Sequence, residues 1–278
     1  MSFKTRLARA FLFLPALLSH TVADNNWIVE KHKGYSIHYT HEDKAGEKEY
    51  RLLIDKGILA VGAFFKRPYK NDFDVFIYPG RRSFDTALQT LFKNPGFTSE
   101  CWLVATGDGR AINILSPGTW DKEGPCEGKY TAYADRFKTQ KLITHELVHV
   151  FHGQLNIDPT LSDPTNSTDW FTEGLAFYAS GQLDDQAIKD VRKALAEKKQ
   201  PADLHALSVY GDVALRYSLS GSLVQYIDKR YGRSALVQLM AVGKNKDILA
   251  RLKTTESPLL QGWEKDALND ALPAAPYK

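Results

Sequence analysis

Apolar and polar residues alternate in short segments along the N-terminal half of the chain. Tyr35–Tyr39 and Phe73–Tyr78 are rich in β-branched and aromatic residues, which is typical of strands. Residues 102–106 and Ala111–Leu115, separated by the turn at 107–109, predict a β-hairpin. Between the strands, helical spacing of apolar residues predicts a helix over Glu47–Phe65. Ser83 is expected to cap a second, shorter helix over 84–92.

From residue 130 onward the apolar spacing becomes mainly helical. Residues 138–151 contain no Gly or Pro and are apolar over much of the helix surface, and Gly153 is expected to end that helix. A second helix carries Glu173, and further amphipathic helices are predicted near 185–199, 212–231, 234–242 and 256–270. The pattern predicts an α+β protein, with a mixed α/β half over residues 24–130 and a helical half over 131–278.

Residues 1–23 have the organisation of a secretory signal peptide. Three basic residues, Lys4, Arg6 and Arg9, precede an apolar run over 10–18, and small residues at 21–23 form a cleavage site. The apolar run is too short to anchor the chain stably in a bilayer. We expect an exported protein, periplasmic or secreted, without a stable membrane anchor after the signal is removed.

Composition and charge agree with an ordinary globular protein. The chain has 278 residues, of which 43% are hydrophobic and 25% charged. The formal net charge is +3, and the three basic residues of the predicted signal account for that excess. The mature protein is therefore expected to be near neutral, which gives no reason to predict a nucleic-acid partner. Oligomeric state stays open at this stage.

The two cysteines, Cys101 and Cys126, both follow the predicted signal. An isolated pair in an exported protein favours one disulfide, which would close a loop of roughly 25 residues. The loop-entropy model gives such a bond about 3 kcal/mol of stabilisation. Metal binding by these cysteines is the weaker alternative, because their spacing matches no zinc-thiolate motif.

Residues 145–149 read His-Glu-Leu-Val-His and carry the main chemical signal. His145 and His149 are four residues apart, so they lie on one face of a helix. Two imidazoles placed in this way supply two of the three protein ligands of a catalytic zinc, Zn2+, and Glu146 beside them can act as the general base. The metzincin pattern is not met, because His152 and Leu155 stand where that pattern has Gly and His.

This motif, together with Trp-Phe-Thr-Glu-Gly at 170–174, resembles the gluzincins, the thermolysin-like clan of zinc metallopeptidases, and most closely the peptidase MA-like families. The downstream segment 217–232 is also similar to a helix of those families. The resemblance implies that Glu173 is the third zinc ligand beside His145 and His149, and that Glu146 is the base. It implies a peptide or protein substrate, with strand Ala111–Leu115 as a candidate edge for peptide binding and an ordinary sheet strand as the open alternative.

The resemblance also implies an oxyanion donor from a later helix, for which Tyr217 is the best-aligned residue. A core aromatic is the alternative for Tyr217, and Tyr210 and His205 are its substitutes as donor. Asp169 and Thr172 are candidates for contacts to the ligands, with solvated or capping roles equally open. His152 is expected near the edge of the site or at the helix C-terminus rather than as a fourth ligand.

Three functions stay open from the sequence. The first is an exported zinc metallopeptidase that uses a zinc-activated water and a Glu general base. The second is a non-catalytic protein that keeps the zincin fold for binding or assembly, against which the intact Glu146 argues. The third is a zinc hydrolase of a non-peptide amide, which the ligand set does not discriminate from a peptidase.

Overall fold

A computed structural model describes residues 26–120, 133–156 and 168–274. The predicted signal peptide, Cys126 and most of the loop between the two predicted ligand segments lie outside this range. No free cysteine occurs among the described residues, and the Cys101–Cys126 bond stays a prediction. No helix in the described ranges combines the length and apolar character that a membrane crossing requires.

The described part of the N-terminal half forms a five-stranded mixed sheet. Its strands are β1 (Ile28–His32), β2 (Tyr35–Tyr39), β3 (Phe73–Tyr78), β4 (Ala105–Gly107) and β5 (Ala111–Leu115), in the spatial order β1-β2-β3-β5-β4. β2, β3 and β5 run parallel, while β1 and β4 pair antiparallel with their neighbours. The two predicted strands β2 and β3 are confirmed in their full extent.

Register places the most apolar residues of the parallel strands side by side. Ile37 pairs with Val75, and Val75 pairs with Ile112. All three side chains are fully buried, because this face of the sheet is covered by helices. Parallel neighbours require crossover connections, and the first crossover contains the long helix that apolar spacing predicted.

The predicted hairpin is present, but its position in the sheet differs from the expectation. β5 lies between β3 and β4, so Ala111–Leu115 is an internal strand and cannot accept a further strand. Among the described residues, the hairpin strand at the edge of the sheet is β4, which spans Ala105–Gly107 rather than residues 102–106. The expectation of β5 as the peptide-binding edge is therefore wrong. The crossover from β3 to β5 determines this order, and that connection has no signature in the alternation of residues.

Helices make up most of the remaining described residues. A 3-10 helix over His41–Gly46 leads into the first of them. The α-helices are α1 (Glu47–Phe65), α2 (Arg81–Leu91), α3 (Pro117–Trp120), α4 (Arg136–Leu155), α5 (Asp169–Ala179), α6 (Asp185–Ala196), α7 (Leu204–Ser208), α8 (Val213–Tyr231), α9 (Arg233–Leu239), α10 (Asn245–Arg251) and α11 (Glu256–Leu268).

Two predicted helix caps are wrong. Ser83 lies inside α2, where its hydroxyl donates to the Gly80 carbonyl, and Gly80 is the residue that begins the helix. Gly153 lies inside α4, which continues to Leu155. A Cβ atom on Gly153 would lie 2.5 Å from the Gly109 backbone nitrogen. Gly153 is therefore needed for close packing of α4 on the β4–β5 turn, and this tertiary reason is invisible to a capping rule.

Helix α4 connects the sheet to the helical half. Asp135 begins it by accepting a hydrogen bond from the Lys138 amide, and most of its side chains are buried. Phe151 stacks on Phe65 of α1 with ring centroids 4.8 Å apart. One continuous core extends from the sheet through α4 to α11. Residues on α4 are consequently held from several sides, which is the condition for fixing catalytic groups precisely in space.

Candidate metal centre

The three predicted metal ligands converge. His145 and His149 extend from α4, and Glu173 extends from α5, with one donor atom of each within 4.8 Å of the others. The two Nε2 atoms are 3.0 Å apart, and Glu173 Oε2 lies 3.2 Å from His145 Nε2 and 3.5 Å from His149 Nε2. Ligands of a tetrahedral zinc are about 3.4 Å apart. The donor set and its spacing therefore fit zinc.

Residues around Glu173 explain how α5 is held in place. Trp170 donates from its indole nitrogen to Asn245 Oδ1 of α10, and the Phe171 ring packs edge-on against His152 of α4. A Cβ atom on Gly174 would lie 2.5 Å from the Ser220 carbonyl oxygen of α8. The Trp-Phe-Thr-Glu-Gly segment thus contacts three helices while its glutamate faces the two histidines.

His145 is oriented by a residue that the sequence reasoning missed. Its Nδ1 lies 2.6 Å from Gln182 Oε1, and Ser180 Oγ donates to the same amide oxygen. Because an amide oxygen only accepts, His145 Nδ1 carries the proton and Nε2 presents its lone pair toward Glu173 and His149. Gly181 has φ of 74° and turns the chain back after α5, which brings Gln182 to the ligand.

Charge in the centre is balanced between the carboxylate and the imidazoles. Burial raises the pKa of Glu173, but the neighbouring His149 and His145 outweigh it and hold that pKa well below its usual range. For His149 burial has the opposite effect and lowers the pKa of the imidazole. The carboxylates of Glu173, Glu146 and Asp169 outweigh burial and raise the pKa of His149 to about 9. Without a cation, a proton on His149 offsets the Glu173 charge. A metal dication would take over this role.

Glu146 is buried beside the ligands and contacts the edge of the sheet. Burial raises the pKa of its carboxyl, against the lowering effects of His145, His149 and a backbone hydrogen bond from Gly107 of β4. A Cβ atom on Gly107 would lie 2.4 Å from the Glu146 carbonyl oxygen. The base candidate therefore lies where the sheet edge and the ligand helix meet.

The structure brings Tyr217 to the centre and leaves its two substitutes elsewhere. The Tyr217 ring on α8 has its centroid 6.2 Å from that of His145. Tyr210 donates its hydroxyl to the Lys199 carbonyl, and His205 is exposed on α7. Of the three, Tyr217 is thus the one whose ring packs on a predicted zinc ligand.

The remaining predicted neighbours have distinct environments. Thr172 donates its hydroxyl to the Thr168 carbonyl within its own helix. Burial, and then the Glu173 carboxylate, raise the pKa of Asp169 to about 7, against the opposing Arg216 guanidinium. His152 is fully buried in the last turn of α4, with Nε2 3.1 Å from the Met240 carbonyl oxygen. His152 is therefore a core residue that joins α4 to the end of α9, and of its two predicted positions it has the one at the helix C-terminus.

Fold and donor set together define a zincin-like metallopeptidase centre: an α+β framework in which two histidines of one helix meet a glutamate of the next. The model of the Peptidase MA superfamily matches residues 126–266, half of the chain, and this range includes the three predicted ligand residues. The chain belongs to the Peptidase MA superfamily, and this membership supports a metallopeptidase-type function. No curated protein sequence matches the chain.

Proposed function

We propose that the protein is an exported zinc peptidase that hydrolyses peptide bonds with Glu146 as the general base. The observation that carries this proposal is the convergence of His145, His149 and Glu173 on one point, with the Glu146 carboxylate buried beside them. A protein that only binds has no need of a buried carboxylate next to three metal donors. Burial of an ionisable group is costly, so a carboxylate buried beside these donors favours a chemical role.

Zinc is the proposed metal because the donors are two imidazoles and one carboxylate at tetrahedral spacing. When bound, zinc lowers the pKa of a coordinated water toward about 7 and polarises a carbonyl. The residues of the chain supply the rest. Gln182 fixes the tautomer of His145, Glu146 accepts a proton and returns it to the leaving amine, and Tyr217 donates a hydrogen bond to the developing oxyanion.

A peptide substrate is favoured over a small amide by the position of β4. This strand pairs with β5 on one side, and within the described residues no strand pairs with its other side. A free strand edge can bind an extended peptide through main-chain hydrogen bonds. Because Gly107 of β4 contacts Glu146, a peptide added there would pass next to the base.

Export is part of the proposal and rests on the sequence alone. The predicted signal over residues 1–23 and the isolated cysteine pair both suit an oxidising compartment. A periplasmic or secreted peptidase would meet zinc and its substrate outside the cytoplasm. N-terminal sequencing of the mature protein, with Asp24 expected first, tests this part independently of the chemistry.

The proposed mechanism is tested by two variants in a peptide-library cleavage assay with zinc analysis. Glu146→Gln preserves the size of the side chain but cannot accept the proton, so zinc should stay near one equivalent in this centre while cleavage is nearly lost. His149→Ala should lose both zinc from this centre and cleavage. Glu42→Gln removes the same charge at an exposed position and should cleave normally.

Each failure has a different meaning. Near-normal cleavage by Glu146→Gln would exclude Glu146 as the general base. If the wild-type protein holds zinc in this centre but cleaves no peptide, the non-catalytic alternative is favoured. If that protein instead hydrolyses a non-peptide amide and a chelator stops the reaction, the amide hydrolase is favoured. Retention of this zinc by His149→Ala would exclude the proposed ligand set.

A further inference from the structure

A second group of potential metal donors lies at the opposite edge of the sheet. Glu30 and His32 are two residues apart on β1, so their side chains lie on the same face of that strand. Glu47 is the first residue of α1. One donor atom from each of these three residues lies within 4.8 Å of the other two.

Two of these donor atoms lack the hydrogen bonds that buried polar atoms normally make. His32 Nε2 and Glu47 Oε1 are buried, and neither has a hydrogen-bond partner among the described residues. They lie 3.9 Å apart, beyond hydrogen-bonding distance, and Glu47 as a whole is 8% exposed. Orphaned polar atoms that face each other at this distance are expected where a cation is to be accommodated between them.

The other contacts prepare the side chains as ligands. Tyr39 donates its hydroxyl to Glu30, which fixes the orientation of that carboxylate. The His32 ring stacks on Tyr35 with centroids 5.0 Å apart, which limits its rotation. Hydrogen bonds and packing of this kind commonly orient metal ligands in proteins.

We propose that Glu30, His32 and Glu47 form a second divalent-cation site that fastens strand β1 to the start of helix α1. The ligand chemistry favours a transition-metal dication such as zinc, because an imidazole is a poor ligand for calcium or magnesium. Tetrahedral coordination requires donors about 3.4 Å apart. His32 and Glu47 therefore have to approach each other by about 0.5 Å from their 3.9 Å separation.

A cation-free ion cluster is the rival arrangement. In that arrangement Arg51, with Nη1 3.9 Å from Glu47 Oε1, offsets the carboxylate charge. The Arg51 side chain is 45% exposed, however, and its distance is too long for a hydrogen bond. An exposed guanidinium in this position contributes little and leaves the orphaned atoms unsatisfied.

Metal stoichiometry separates this site from the proposed catalytic centre. Protein dialysed against buffered zinc is analysed for metal content as wild type, His149→Ala, Glu47→Gln and the double variant. We expect two zinc ions per chain in the wild type, one in each single variant and none in the double variant. Glu42→Gln is the control of equal charge change five residues away, and it should bind two.

Affinity and melting temperature provide a second readout. In the His149→Ala background, zinc should raise the melting temperature. Adding Glu47→Gln or Glu30→Gln should abolish this shift and weaken zinc binding at least ~100-fold. Loss of a residue that only hydrogen-bonds to a metal ligand typically weakens binding less, by ~10–100-fold. Two substitutions are used so that a folding defect in one does not remove the test. Calcium in place of zinc should produce no shift.

The possible failures are distinguishable. One zinc in the wild type and none in His149→Ala would overturn the second site while the catalytic proposal stands. One zinc in the wild type that is lost only in Glu47→Gln would support the second site and overturn the proposed catalytic ligands. Equal zinc content in wild type and Glu47→Gln, with two ions each, would place the second ion elsewhere and also overturn the inference.

Discussion

Replacing Tyr217 by Phe removes one hydroxyl and keeps a ring that is packed on two sides. The ring lies 6.2 Å from His145 and 6.2 Å from Phe177, measured between centroids. Burial, and then the carboxylates of Glu173 and Asp169, raise the pKa of Tyr217 well above 10. The phenol is therefore a protonated donor throughout the working pH range, and its removal should not shift the pH profile of the enzyme.

The expected magnitude depends on whether the hydroxyl acts in the transition state or only in the folded core. A buried donor to a developing oxyanion is typically worth about 10²–10³ in kcat, or roughly 3–4 kcal/mol. A core hydroxyl that loses one hydrogen bond costs about 1 kcal/mol of folding stability and leaves kcat unchanged. If Tyr217 donates to the oxyanion, KM should change little, because that interaction forms mainly in the transition state.

Steady-state kinetics and thermal unfolding are measured on Tyr217→Phe and on Tyr210→Phe as its matched control. Tyr210→Phe removes a hydroxyl too, one that donates to the Lys199 carbonyl and lies away from the predicted ligands. We expect a large loss in kcat for Tyr217→Phe alone. A Tyr217→Phe enzyme that melts earlier yet turns over at the wild-type rate would refute the catalytic assignment.

Three further outcomes follow from single contacts. Gln182→Leu removes the acceptor of His145 Nδ1 and should weaken zinc binding ~10–100-fold. The control Gln186→Leu, on an exposed helix surface, should leave zinc binding unchanged. Competition with a chromophoric chelator measures both affinities. Burial lowers the pKa of His152 to about 3. As the pH falls below 6.5, the His152 imidazole therefore binds a proton in the unfolded chain but stays neutral in the folded chain. Between pH 7 and pH 5 the wild type should therefore lose about 2 kcal/mol more unfolding free energy than His152→Gln. Equal urea-unfolding losses would exclude a buried neutral His152. Peptide mapping without reductant should link Cys101 to Cys126, and alkylatable thiols in exported protein would contradict that bond.

The spacing of apolar residues predicted those helices and strands that are stabilised mainly by residues within the segment itself. The α1 helix follows the predicted bounds because its apolar positions recur at helical spacing over nineteen residues. Strand β1 was not predicted, since Ile28–His32 has only two apolar residues and turns Glu30 inward at the sheet edge. Helices α3 and α7 were not predicted either, since they have four and five residues, which is too short for a periodic signal.

The same distinction applies to the metal centre. His145, Glu146 and His149 are set by spacing along one helix, so one segment of sequence was enough to find them. Glu173 required the resemblance, because its approach to α4 depends on packing through Trp170 and Gly174. Gln182 had no signal: it is an ordinary polar residue, and only the turn at Gly181 brings it to His145.

The centre links segments that would otherwise meet only through packing. His145 and His149 belong to α4, Glu173 to α5, and Gln182 to the turn that follows α5. Bringing two imidazoles and two carboxylates together costs folding free energy, because charges leave water and like charges approach each other. The raised pKa of Asp169 reports that cost, whereas the raised pKa of His149 reports a partial offset, because Glu173 stabilises the protonated imidazole. A dication bound as proposed would stabilise the same groups in the same places, so metal affinity and folding of the α4–α5 unit would be thermodynamically coupled. The surrounding glycine and tryptophan contacts would then have a functional role: they hold the donors at ligand spacing, so less conformational entropy is lost when the metal binds.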